Sequence, residues 1–193
     1  MTVTIVDLGY GNTGSIRIAF DRLGAETRLS ADRDEIASAE RLVLPGVGAA
    51  GYAMGRIDEL GLSDILRTFP RPLLGICLGM QLLFERSDEE DTICLGLVPG
   101  RVRRLEPAPD LPVPHMGWSR LTVNDTRSGL ADGDYVYFAH SFACDDGPQI
   151  VARALHGRPV PAAVRQDNVW GAQFHPERSA ETGSRFLEAF LAS

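Results

Sequence analysis

Apolar and polar positions along the first eighty residues predict strands and helices in turn. Thr2 to Val6 is an apolar run. After Asp7-Leu8-Gly9-Tyr10-Gly11-Asn12-Thr13-Gly14, the residues Ile16, Ala19, Phe20 and Leu23 recur at helical spacing, with Gly24 placed as the C-cap. A short strand around Thr27 to Leu29, a polar helix near Asp32 to Ala39 and a strand from Arg41 to Leu44 follow. Pro45-Gly46-Val47-Gly48 then forms a glycine-rich loop, and two short helices, about Ala50 to Leu60 and Leu62 to Thr68, lead to a second wholly apolar run, Pro72 to Ile76. Strands alternating with helices predict a parallel, doubly wound α/β sheet. Ligands bind at the carboxyl ends of such strands, so both glycine-rich loops and the residue after Ile76 belong to one edge.

From Leu78 to Phe84 the pattern predicts an amphipathic helix, and beyond it the texture changes. An acidic stretch, Glu85 to Asp91, gives way to short segments with a period of two: Arg101 to Leu105, Trp118 to Val123, Tyr135 to Phe138 and Ile150 to Leu155. A hairpin is expected to pair Ala162 to Arg165 with Val169 to Phe174 across Gln166-Asp167-Asn168, and a last helix, Ala180 to Leu191, carries Phe186, Leu187, Phe190 and Leu191 on one face. There is no internal repeat, linker or low-complexity tract. The more antiparallel half is therefore expected to extend the same sheet system, leaving one domain over residues 1–193.

Composition narrows the function. The net charge of −7 offers no basic stripe for nucleic acid. All 19 basic side chains are arginine, so Schiff-base and lysine general-base chemistry are excluded. Three widely spaced cysteines, Cys77, Cys94 and Cys144, make neither a disulfide framework nor a zinc site, and fit a reducing cytoplasm. Cys94 and Cys144 lack basic neighbours in sequence and are expected to be inert. The amino terminus has no charged leader segment, and no apolar run is long enough to span a membrane.

The candidate chemistry centres on Gly75-Ile76-Cys77-Leu78-Gly79, the thiol version of a nucleophile elbow: flanking glycines permit a crowded turn from strand to helix, and the side chain projects above the sheet. The helix start is expected to favour a thiolate, and the Leu78 N–H is free to bind a developing oxyanion. Such a cysteine needs a base. His156, in Leu155-His156-Gly157-Arg158-Pro159, reads as a surface turn residue, and His115, next to Pro114, has no carboxylate two or three residues away. His175 does: His175-Pro176-Glu177 in an extended segment puts imidazole and carboxylate on one side, which fixes the tautomer and favours the protonated ring.

Gly75-Ile76-Cys77-Leu78-Gly79-Met80-Gln81 together with Gln173-Phe174-His175-Pro176-Glu177 resembles the class I, triad-bearing glutamine amidotransferases over essentially the whole chain. Asp7 to Asn12, Pro45-Gly46-Val47-Gly48-Ala49, Pro114-His115-Met116-Gly117-Trp118 and Tyr137 to Phe142 narrow the resemblance to glutaminase subunits of imidazole glycerol phosphate synthase. The resemblance implies a doubly wound fold with a mostly parallel central sheet, flanking helices and an antiparallel extension. It implies Cys77, His175 and Glu177 as the catalytic triad, Leu78 and Val47 as oxyanion donors, and Gly48, Gln81, His140, Ser141 and Phe142 around the glutamine. It also implies a (β/α)8-barrel cyclase subunit as partner, met through Asn12, Trp118, Tyr137 and Arg178, and no cofactor or metal. Leu8, Ser119 and Arg178 stand where such chains usually have tyrosine, asparagine and lysine, and these departures touch the partner-facing surface.

Two other function classes fit the chain less well. Gly9-Tyr10-Gly11-Asn12-Thr13-Gly14 matches the glycine pattern of dinucleotide-binding folds, but the second strand ends in Leu29-Ser30 without the ribose-binding acid, and Asp32 comes late. A non-enzymatic regulator that kept the fold is disfavoured by an intact Cys77, His175 and Glu177. A glutaminase serving another synthase differs only in the accessory motifs.

Overall fold

In a computed structural model describing residues 1–193, the apolar runs form the middle of a twisted sheet and the amphipathic segments cover it. The elements are β1 (Thr2–Val6), α1 (Thr13–Arg22), β2 (Glu26–Ser30), α2 (Arg33–Ser38), β3 (Arg41–Gly46), α3 (Ala50–Glu59), α4 (Ser63–Arg67), β4 (Leu73–Cys77) and α5 (Leu78–Gln81). Next come β5 (Arg86–Ser87), β6 (Thr92–Ile93), β7 (Arg101–Arg104), β8 (His115–Val123), β9 (Tyr135–His140), β10 (Phe142–Cys144), β11 (Ile150–His156), β12 (Arg158–Gln166), β13 (Val169–Ala172) and α6 (Ala180–Leu191).

The main sheet runs β2-β1-β3-β4-β13-β12-β11-β8-β9. Its first five strands are parallel and its last four join by antiparallel pairing, so the expected extension is present. The expected hairpin pairs Gln166 with Val169 and Ala163 with Ala172. Three segments depart from expectation. The Arg101 to Leu105 segment leaves the main sheet and, with β5, β6 and β10, makes a separate small one. His156 is no surface turn residue: β11 and β12 form a hairpin closed at Gly157 (φ 68°), and His156 ends a strand, half-buried. The helix after Cys77 is a single turn, tightened by Leu83→Met80 and Phe84→Gln81 backbone bonds, because Leu82, Leu83 and Phe84 must all point into the core.

Alternate residues of the central strands feed two apolar layers. Leu42, Leu44 and Leu73 face α3 and α4, whereas Val43, Leu74 and Ile76 face α1 and α6. On the second side Phe186 and Phe190 of α6 pack edge-on against Trp170, and Phe174 bridges Phe186 and Phe138. Burying aromatic side chains of this size supplies much of the stabilisation of such a layer.

Backbone contact of unusual closeness positions the turn at Cys77. A Cβ on Gly79 would lie 1.9 Å from the Leu44 carbonyl oxygen of β3, one on Gly46 2.5 Å from the Gly79 nitrogen, and one on Gly75 2.5 Å from the Gly79 oxygen. The turn of α5 therefore sits directly on β3 and β4 with no side chain between. Gly79→Ala is expected to destabilise the protein by at least ~2 kcal/mol, since the opposing atom is backbone and cannot yield. Gly55→Ala, in α3 where an added Cβ meets nothing, should be neutral or stabilising by up to ~1 kcal/mol. Equal denaturant midpoints for the two variants would contradict this account.

Candidate active site

β4 carries an unbroken buried run to the carboxyl edge of the sheet, and the chain reverses at Cys77 with φ 54° and ψ −112°. A positive φ in a non-glycine residue costs on the order of 1–3 kcal/mol and persists only where the surroundings enforce it. Here the three glycines of the close approach do so. The strain lifts the side chain to the bottom of a cleft of about 940 Å³, and Leu78 opens α5, so its N–H has no partner within that one-turn helix. With one turn, the helix contributes its free N–H groups rather than a long macrodipole.

His175 reaches the same cleft from the chain that follows the end of β13. Its backbone N–H donates to the Tyr137 carbonyl at 2.9 Å, and its Nδ1 lies 2.8 Å from Glu177 Oε1. The pairing expected between residues 175 and 177 is present, but not through extended chain. Pro176 opens a tight 3₁₀ turn over Pro176–Arg178, and that turn folds the carboxylate back on the ring. Ser179, which the sequence reading missed, locks the turn: its hydroxyl donates to the His175 carbonyl at 2.7 Å and accepts the Tyr137 N–H at 3.0 Å. Gly183 lets α6 close on this turn, since a Cβ there would meet the Pro176 oxygen at 2.0 Å.

Electrostatics at the ring are set by opposing effects. Burial disfavours an imidazolium, but the bond and charge of Cys77 and those of Glu177 outweigh it, and the His175 pKa rises to about 10. The Glu177 side chain is almost wholly buried and its Oε2 has no partner, so its charge is answered chiefly by the ring. The other two cysteines are buried: burial pushes the Cys94 thiol up to about 11 and raises that of Cys144 further. Neither lines the cleft.

Nine residues expected from the sequence share the cleft: Val47, Gly48, Cys77, Leu78, Gln81, His140, Ser141, Phe142 and His175. Two of them are already committed to the framework. Gln81 donates from Nε2 to the Phe142 carbonyl and to Gln173 Oε1, each at 2.9 Å. His140 uses both ring nitrogens on the Phe142 carbonyl and His115, so neither is free for a ligand. Burial, above all, pushes His115 and His140 down to about 4 and about 3; the neighbouring histidines act in the same direction, and the Phe142 carbonyl partly opposes the shift at His140.

Asp88, Glu89, Glu90 and Arg104 also line the cleft and are not marked by the sequence, where Glu85 to Asp91 reads only as an acidic stretch. Glu89 Oε2 accepts the Ala50 N–H at 2.8 Å, supplying the cap that Ala49 cannot give α3, and thereby holds the far end of the Val47–Gly48 loop. Carboxylates and a guanidinium lining one cleft suit a zwitterionic ligand.

The four expected interface residues lie outside the cleft. Trp118 is 53% exposed and meets Tyr137 edge-on at 6.1 Å, while the Arg178 guanidinium sits 4.3 Å over the Tyr137 ring. Asn12 is apart from this stack, capping α1 through the Ser15 N–H. No helix is long and apolar enough to cross a membrane.

Residues 4–193 match the family model described as glutamine amidotransferase class-I. The chain is 50% identical over 192 residues to the "Imidazole glycerol phosphate synthase subunit HisH" of Xylella fastidiosa strain Temecula1, covering 98% of this chain and 96% of that protein. It is 48% identical over 192 residues, with the same coverage, to the protein of that name from Xanthomonas axonopodis pv. citri. Among solved structures, one described as a glutamine amidotransferase superposes with a TM-score of 0.79 at 24% identity, covering 98% of this chain and 97% of that one, which shows the shared fold. The chain belongs to the class I glutamine amidotransferases, and within them to the family of imidazole glycerol phosphate synthase subunits HisH.

Proposed function

We propose that the whole chain works as one glutaminase domain in the cytoplasm, hydrolysing L-glutamine to L-glutamate and ammonia, and that it passes the ammonia to a separate (β/α)8-barrel cyclase subunit. That subunit uses it to make imidazole glycerol phosphate and an aminoimidazole carboxamide ribonucleotide in histidine biosynthesis. The observation that carries this reading is the strained Cys77 sharing a cleft with an imidazole that Glu177 grips at 2.8 Å.

In this reading the Cys77 sulfur attacks the side-chain amide carbon of glutamine. The Leu78 N–H and the Val47 N–H hold the oxyanion, and His175 gives its proton to the departing ammonia. A γ-glutamyl thioester remains. With the sulfur acylated, its negative charge is gone, and with it the part of the His175 shift due to Cys77. Burial then opposes Glu177 alone, the ring holds its proton less tightly, and it becomes the base that activates water to release glutamate. Gly48, Ser141 and Phe142 shape the pocket, with the acidic loop and Arg104 facing the α-ammonium and α-carboxylate. Val47 lies between Gly46 and Gly48, so its peptide turns at small steric cost. This loop is therefore the point at which a bound partner switches hydrolysis on.

The partner surface is the outer end of the main sheet, where Trp118, Tyr137 and Arg178 stack beside exposed Met116 and Tyr135, with Asn12 at the start of α1. Aromatic side chains exposed in a cluster suit a docking face.

Glutamate release by the purified chain, alone and with the cyclase and its nucleotide ligand, tests the assignment. Low activity alone that rises strongly with the partner and vanishes in Cys77→Ala is expected. High activity without a partner would count against this branch of the family, and no difference between wild type and Cys77→Ala would sink the reading. Val47→Pro, which deletes one oxyanion donor, should lower kcat by about 10²–10³-fold with little change in KM, and unchanged turnover would remove the loop from the mechanism. Stability should follow pH as a dome. His115 and His140 bind protons in the unfolded chain near 6.5 but in the folded one only near 4 and 3, so each withdraws about 1.4 kcal/mol per pH unit as pH falls below 6.5. His175 has the opposite sign: its contribution is complete below 6.5 and is lost as pH rises through about 10. Thermal midpoints against pH check this, with His115→Gln flattening the acid limb and Cys77→Ala moving the alkaline limb to lower pH.

A further inference from the structure

Polar side chains join β8 to the bottom of the cleft in one continuous line. Ser119 Oγ lies 2.8 Å from His115 Nε2, His115 Nδ1 3.0 Å from His140 Nε2, and His140 Nδ1 2.8 Å from the Phe142 carbonyl. That carbonyl also accepts from Gln81, whose second hydrogen goes to Gln173 Oε1. The line ends where Gln173 Nε2 lies 3.9 Å from Cys77 Sγ.

Only one arrangement of hydrogens satisfies it. A carbonyl can only accept, so His140 carries its hydrogen on Nδ1, and in a neutral ring Nε2 must then accept. His115 therefore donates from Nδ1 and accepts on Nε2 the hydroxyl hydrogen of Ser119. From the other side of the same carbonyl, the Gln81 amide is fixed with its nitrogen between two oxygens, and this fixes the Gln173 oxygen toward Gln81. The Gln173 nitrogen is left facing the sulfur, with no other side-chain or backbone acceptor. His156 stacks on His115 at 4.3 Å, and Phe138 stacks at 4.7 Å, so the ring cannot turn over. Gln173 is fully buried. A buried amide is stabilising only when its groups are bonded, and here the sulfur is the partner of its nitrogen.

We propose that Gln173 is a further catalytic residue, whose amide N–H donates to the Cys77 sulfur and stabilises negative charge there. The Phe142 carbonyl, through Gln81, decides which end of that amide the sulfur meets, and Ser119, His115 and His140 are the positioning line that holds this carbonyl in place. A hydrogen bond to a charged acceptor is worth more than one to a neutral acceptor, so the gain falls on the thiolate and not on the thioester. The donor thus favours the state that attacks and the state that is regenerated when glutamate leaves. This inference rests on Cys77 being the nucleophile.

Two readouts in the full-length chain test it: the rate at which iodoacetamide alkylates Cys77 near neutral pH, and glutamine hydrolysis with the partner present. Gln173→Glu, of the same shape, and Gln173→Met, uncharged, each remove the donor. Both should slow alkylation and kcat about 10–100-fold while KM moves less than about threefold. His115→Leu should also slow alkylation, and His115→Gln, which donates to His140 and accepts from Ser119, should restore most of what the leucine loses. Wild-type alkylation in Gln173→Met would overturn the proposal. If neither Gln173 variant folds by circular dichroism, the His115 pair decides, and equal rates for leucine and glutamine would overturn it as well. Failure of the wild-type chain to be labelled at Cys77 is a different result, which removes the nucleophile itself.

Discussion

The contact between the Gly79 backbone and the Leu44 carbonyl governs the geometry around it, because it leaves no room for any side chain where α5 crosses β3. With that distance set, the chain leaving β4 has one place to go, and Cys77 must take a backbone conformation that its own side chain disfavours. The same closeness brings the end of β3 beside the elbow, with Gly46 paired to Cys77, so the loop that follows β3 necessarily borders the sulfur. The placement of the sulfur and that of the loop are not two features assembled separately; both follow from one steric condition met by three glycines.

Around this condition the molecule divides its polar and apolar labour. The two apolar layers on either face of the sheet hold the strands in register, and their aromatic ladder anchors α6 on β13. α6 in turn closes on the Pro176–Arg178 turn, so the ring of His175 is placed by packing from behind and by hydrogen bonds from the side. The cleft side mixes apolar Val47, Leu78, Ala139 and Phe142 with polar side chains, of which Gln81, Glu89, His140 and His175 are bonded to the framework.

What was legible in the sequence was whatever is encoded within a few residues. The elbow declares itself in Gly75 to Gly79, the turn chemistry in His175-Pro176-Glu177, and the strands of the first half in their apolar runs. What was not legible depends on residues far apart in the chain meeting. His115 and His140 are 25 positions apart and Gln81 and Gln173 are 92 apart, and no local pattern marks either pair. The length of α5, one turn where the pattern predicts a helix to Phe84, is not legible because a buried run of apolar residues reads alike as helix or as irregular chain filling a core. The acidic run after Phe84 carries no local sign of its role, because Glu89 finds its partner, the Ala50 N–H, only across the fold.

β9 is the last strand of the main sheet, and a free strand edge is an open template for another chain. At its centre, however, the N–H of Tyr137 is taken by Ser179 and its carbonyl by the His175 N–H. The bonds that seat the imidazole therefore also obstruct that edge, so that a second copy of the protein finds no run of unpaired backbone on which to add a strand. The contacts that seat His175 thus also protect against self-association through β9, and the outermost strand keeps exposed Tyr135 without becoming a seed for aggregation.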